Sequence, residues 1–248
     1  MFQKLFIFVF FSWVLTGYLH GEKIEAKFDV SYGVLGKIGT AEAVLKKNSK
    51  SYSIDIKLKA TGLARLLSRG REEQHTSTGH MLKGVMISDV YRVTKSYGNV
   101  KVIKEYTIDH THKKIHKIYK KYKEDKLLRQ EVHDLTFYTT NDLLTLYFNL
   151  DVVIKDKTSP HTYAFDAVGA ERQKGKVSIE IPNQKQLIKY KKELDTDSSW
   201  YATAIIHQKI FSSKEGRLML AVAHDGITNM AVLKDVILFG DIRAVRIK

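Results

Sequence analysis

Apolar and polar residues alternate with a period of two along most of this chain. Ile24, Ala26, Phe28, Val30 and Tyr32 fall on one side of an extended segment, with mainly polar residues between them. That spacing predicts a half-buried strand. Gly33, Gly36 and Gly39 then mark a turn into a return strand, GTAEAVLKK, and KKNSKS reads as a polar hairpin loop. Tyr52, Ile54, Ile56 and Leu58 alternate with Ser53, Asp55, Lys57 and Lys59, the cleanest strand pattern in the sequence. Further strands are expected over Val85–Thr94, Val100–Ile108, Thr162–Val168, Lys176–Ile181 and Gln186–Leu194. The last third holds LMLAVA, the turn His224-Asp225-Gly226, MAVLKDVILFG and DIRAVRIK. An Asp-Gly pair between apolar runs is a hairpin signal.

Two segments break the alternation. In TGLARLLS, Leu63, Leu66 and Leu67 recur at helical spacing, so a short helix is expected to bury them and leave Arg65 and Arg69 in water. TTNDLLTLYFNL fits a second helix, apolar almost all round from Leu143 to Leu150, with Thr140 or Asn141 as its N-cap. Many strands with few helices argue for a mainly β fold: one large curved antiparallel sheet, a half-barrel or open barrel, with the two short helices against its concave side. KDKTSP, ending at Pro160, is the best internal boundary but is too short to divide the chain.

The first residues change the setting. Lys4, the apolar run Leu5–Leu15 and the small residues Thr16, Gly17 and Gly21 have the layout of a secretory signal peptide. The run is shorter than the ~20 residues of a membrane-spanning helix. Residues 1–21 are therefore expected to be a signal, and 22–248 a single β-rich periplasmic domain without a later membrane span. The chain has no cysteine, which excludes disulfides, thiolate chemistry and the cysteine on which a lipoprotein is acylated. About 225 residues remain, enough for a core without such staples. The net charge is +14 and the pI about 9.6. In an exported protein this favours lipid, lipopolysaccharide or acidic glycan as the counter-charge over nucleic acid; otherwise it serves solubility alone.

Several short marks, taken together, resemble a widespread family of exported bacterial proteins whose domain has no assigned function. They are Tyr32-Gly33, Gly39-Thr40-Ala41, Thr61-Gly62-Leu63, Asp142-Leu143-Leu144, His224-Asp225-Gly226, Phe239-Gly240 and Ala244-Val245, in that order along nearly the whole mature chain. The resemblance implies a β-rich periplasmic protein and carries no catalytic residues. Where such proteins commonly have a proline in the terminal strand, this chain has Met230-Ala231. A looser likeness, of architecture alone, is to half-barrel carriers of envelope lipoproteins.

THKKIHKIYKKYKED, from Thr111 to Asp125, is the most basic run. Ile115, Ile118, Tyr119 and Tyr122 have helical spacing, yet the flanking alternation and the resemblance favour two strands around a KEDK turn. Lysines there would guard a sheet edge or protruding hairpin.

No phosphate-binding glycine loop and no GxSxG elbow occurs. His110, His112 and His116 share one face of a regular strand, and the first two could hold a metal, but Lys114 would lie among them. Glu72-Glu73 and Asp195-x-Asp197 read as loop carboxylates. No catalytic, cofactor-binding or metal residue is assigned from this pattern, and no cofactor is implied. Three functions remain: a non-catalytic binding or carrier module for an amphipathic or anionic envelope ligand, an envelope assembly factor, and an enzyme acting on envelope glycans or lipids.

Overall fold

The computed structural model describes residues 21–170, 174–194, 196–206, 216–236 and 240–247. The signal-like segment falls almost wholly outside these residues, as do Phe239 and Asp195. The described residues form one antiparallel, open sheet of 14 strands, in which every neighbouring pair is antiparallel.

The first half is a meander. It runs β1 (Glu22–Tyr32), β2 (Lys37–Lys47), β3 (Ser51–Ala60), β4 (Glu72–Leu82), β5 (Val85–Tyr97), β6 (Val100–Asp109), β7 (Lys114–Lys123) and β8 (Lys126–Asp134). The second half is another, through β9 (His161–Asp166), β10 (Lys176–Ile181), β11 (Trp200–Ile206), β12 (Arg217–Val222), β13 (Thr228–Val236) and β14 (Gly240–Arg246). β1 pairs with β14, Val30 opposite Ala244, and so joins the halves at the middle of the sheet. The two edges are β8 and β9. The chain crosses between them through helix α2 (Leu143–Val153).

α2 is apolar all round because it is enclosed by both halves. Leu146 and Leu150 pack among Val177, Ile179, Trp200, Ala202 and Leu220, and Leu144 packs with Tyr52, Ile54, Tyr91 and Tyr106. Its N-cap is Asp142, one or two residues later than the expected Thr140 or Asn141. The Asp142 carboxylate accepts hydrogen bonds from the backbone N–H groups of Leu144 and Thr145 at 2.7 and 3.0 Å, whereas the Asn141 side-chain amide is turned to the carbonyl of Asp166.

The expected helix count falls short. Among the described residues three α-helices form, α1 (Gly62–Leu67), α2 and α3 (Gln184–Leu194), besides a 3-10 turn at Gly33–Leu35. α3 occupies the stretch read as a strand at Gln186–Leu194. Leu187, Tyr190 and Leu194 recur at helical intervals and pack on Tyr201, Met219, Ala221, Met230 and Val232. A reciprocal cap starts the helix: the Gln186 N–H donates to Asn183 Oδ1 at 2.8 Å, and the Asn183 N–H donates to Gln186 Oε1 at 2.9 Å. α2 and α3 lie on opposite faces of β11–β13, which explains why WYATAII and RLMLAV are nearly continuously apolar.

The basic run folds as β7, a turn and β8. β7 is paired on both sides, so the edge is β8. Leu127, Leu128 and Val132 are exposed there, interleaved with Lys126, Arg129 and Glu131. Ile115 is wholly buried, and Lys117 lies over the Tyr106 ring with its ammonium 5.6 Å from the centroid.

Candidate functional site

Strand register places Ala26, Phe28 and Val30 of β1, Leu45, Ala43 and Ala41 of β2, and Tyr52, Ile54, Ile56, Leu58 and Ala60 of β3 on one face. This is the face α2 covers. Burial falls along each strand away from that helix. Ala26, Ala43, Leu45, Tyr52 and Ile54 are buried, whereas Phe28, Val30, Ala41, Ile56, Leu58 and Ala60 are half-buried. One end of the inner face is thus sealed, and the other is an apolar trough.

α1 roofs that trough. The space beneath it measures about 190 Å³ and is lined chiefly by Val30, Ile38, Leu58, Ala60, Ala64 and Ile242. The helix turns its small residues, Ala64 and Ser68, toward the sheet. Leu63, Leu66 and Leu67, expected to be buried, are instead 59%, 76% and 72% exposed. The reason is geometric: Ala64 and Ser68 share a face at i and i+4, and small side chains let the helix sit close to the strands. Three leucines therefore stand in water on the helix that roofs the apolar groove, on sides other than the one that lines it. Arg65 and Arg69 beside them are also exposed, and neither pairs with a carboxylate among the described residues.

The groove ends on a charged group. Glu73 does not solvate a loop; it lies in β4, opposite Leu58 and Lys95, on the same inner face. Its side chain is only 13% exposed. Arg71 approaches it at 2.5 Å and Lys95 at 2.8 Å, and His75 Nε2 lies 3.3 Å away. Burial opposes ionisation of Glu73, but hydrogen bonds with His75 and Lys95 and the charges of Lys95 and Arg71 outweigh it. Its carboxyl is held well below the usual range. Two permanent cations face one carboxylate, so this end of the groove carries an excess of positive charge. Glu72 of the same pair is exposed.

A second polar cluster lies under α2 and is sealed. Asp142 Oδ2 accepts hydrogen bonds from Ser77, Ser88 and Thr145 hydroxyls at 2.6, 2.6 and 2.8 Å. The Tyr52 hydroxyl lies 2.7 Å from Thr145 Oγ1, and burial together with the Asp142 charge pushes the phenol well above its usual range. With both serine hydroxyls committed and the residues fully buried, this cluster anchors the helix and offers no reachable nucleophile.

The three histidines expected on one strand face separate. His110 and His112 lie in the turn between β6 and β7, and only His116 is on a strand. His112 bonds Asp109 at 2.7 Å and His116 bonds Asp134 at 2.6 Å. His110 meets Asp89 and His80, residues distant in sequence that no local pattern links to it. Asp197 is an exposed loop residue. Arg71 and Lys95 carry no signal in the sequence, and Glu73 reads there as a loop carboxylate; the three become neighbours only through strand register. Among the described residues no helix is long and apolar enough to cross a membrane.

No protein-family model matches the chain, and no curated protein is recognisably similar to it. Among solved structures it is similar to the crystal structure of a β-barrel-like protein of a domain of unknown function, DUF1849, from Brucella abortus. The TM-score is 0.50 at 11% identity, over 90% of this chain and 95% of that one. The two share a fold. At that identity the likeness extends to architecture and not to residues or activity. It agrees with a mainly β, open antiparallel sheet of a kind found in a bacterial protein whose domain has no assigned function.

Proposed function

We propose that this protein is an exported, non-catalytic carrier in a bacterial envelope, which binds an anionic amphiphile in the trough beneath α1. One observation carries the reading: the half-buried apolar inner face runs beneath a helix that bears three exposed leucines, and it ends on a cluster with surplus positive charge. An acyl chain lying on Phe28, Ile56 and Leu58 would remove its own apolar surface and theirs from water, at about 25 cal/mol per Å². An acidic head group would meet Arg65, Arg69 or the Arg71–Lys95 pair. The signal-like layout of residues 1–21 supports a ligand drawn from envelope lipids.

Native mass spectrometry of the protein isolated from an envelope fraction tests this. The expected result is one bound acyl lipid, lost when Leu58 is replaced by tryptophan to fill the groove. A protein that emerges free of lipid and takes none up from phosphatidylglycerol vesicles would contradict the proposal.

A further inference from the structure

On another part of the sheet, a β-bulge brings three potential metal ligands together. Thr78 pairs with Val90 and Gly79 with Ser88, so Asp89 is the extra residue of β5 and has no partner. Bulges of this kind redirect a side chain out of the ladder, often at functional sites. The close approach depends on Gly79, where an added Cβ would lie 1.9 Å from the Ile87 carbonyl oxygen. Asp89 Oδ1 consequently lies 2.9 Å from His80 Nδ1 of β4. It also lies 3.0 Å from Nε2 of His110, in the β6–β7 turn.

The fit goes beyond two ion pairs. His110 Nε2 is also 3.0 Å from the Ser88 carbonyl oxygen, and its Nδ1 is 2.9 Å from the Tyr138 hydroxyl. Tyr138 thus fixes the ring from behind, as outer-shell partners of metal-bound histidines do. Without an ion, any proton on Nε2 is divided between two acceptors. A cation there would be met by the lone pairs of His80, His110 and Asp89, with the Ser88 carbonyl alongside.

We propose that His80, Asp89 and His110 form a binding site for a divalent metal of the zinc class. Their ligand atoms all lie within 4.8 Å of one another. Around a tetrahedral zinc ion, with bonds of about 2.0–2.2 Å, donor atoms stand about 3.3 Å apart. The two imidazole-to-carboxylate separations therefore need to open by only a few tenths of an ångström. Two imidazoles and one carboxylate are a ligand set that suits zinc. The side chains of His80, Asp89 and His110 are 44%, 42% and 28% exposed, so an ion can enter from solvent and a coordination position stays open. Bound metal would tie the β4–β5 hairpin to the β6–β7 turn.

Calorimetric titration with zinc chloride tests the site on protein purified without a polyhistidine tag and stripped by chelator. One zinc per chain is expected. His80→Ala, His110→Ala and the isosteric Asp89→Asn should each weaken binding by about tenfold or more, and Tyr138→Phe by about tenfold. His112→Ala and His116→Ala should leave it unchanged. Circular dichroism of the metal-free variants confirms that their folds are intact. Absence of a saturable single equivalent, or zinc binding that survives in all three ligand variants, overturns the proposal.

Discussion

Asp142 and Ser88 meet at 2.6 Å in the buried seam between helix α2 and the sheet. The contact joins the cap of the helix to the strand that carries the bulge. Ser88 is committed on three sides: its hydroxyl donates to Asp142, its N–H donates to the Thr140 carbonyl at 2.9 Å, and its carbonyl oxygen faces His110. The Asp142 carboxylate accepts five hydrogen bonds, and the residue is fully buried. A carboxylate so completely supplied with donors holds the helix that seals one end of the inner face.

Asp142→Ala should therefore be among the most damaging single changes, because it leaves buried hydroxyls and helix N–H groups without their acceptor. A loss of about 3 kcal/mol or more is expected in urea unfolding. Asp142→Asn keeps an acceptor for the backbone donors and should cost clearly less. Equal losses for the two variants would show that the carboxylate network is not what matters.

Gly79→Ala separates packing from chain flexibility at the bulge. The new methyl would meet the Ile87 carbonyl oxygen and lie 2.8 Å from Tyr52 Cε1. A destabilisation of about 1–3 kcal/mol is expected from the overpacking. Thermal unfolding unchanged from wild type would mean that the strands do not approach so closely.

Glu73 gives the stability a pH dependence of definite sign. Its folded-state pKa lies below the ordinary value of 4.5, so the ionised form is favoured by folding. The stabilisation is fully present above the unfolded-state pKa and is lost as the pH falls below about 4.5 toward the folded-state value. Glu73→Gln should lower stability at pH 7, and its deficit against wild type should shrink under acid. A deficit that stays constant down to pH 3 would contradict the ion cluster as its cause.

How far the sequence disclosed this arrangement depended on the range of the information. Alternation located β3 and β5, and His224-Asp225-Gly226 marked the β12–β13 hairpin, because strand faces and tight turns are written locally. The α3 segment reads as a strand because its lysines interrupt the apolar spacing of Leu187, Tyr190 and Leu194. The Asn183–Gln186 cap is the local signal of a helix there. Helical spacing located α1 correctly, but spacing alone does not say which side meets the sheet, and the small residues took that side. The Glu73 cluster and the His80–Asp89–His110 group depend on pairing register and a bulge, which no single segment encodes.

The central claim, that the trough beneath α1 holds an anionic amphiphile, is tested most directly by titrating the protein with oleate. Wild type, Leu58→Trp and the double variant Leu66→Gln/Leu67→Gln are compared, with urea unfolding measured alongside. The exposed leucines contribute little to the fold, so the double variant should match wild-type stability to within about 0.5 kcal/mol. Wild type is expected to bind one oleate per chain, the double variant to bind it at least about tenfold more weakly, and Leu58→Trp not to bind it, the two lost methyl-rich side chains corresponding to about 1.4 kcal/mol or more. Equal oleate binding by all three proteins, or none by wild type, would contradict the account.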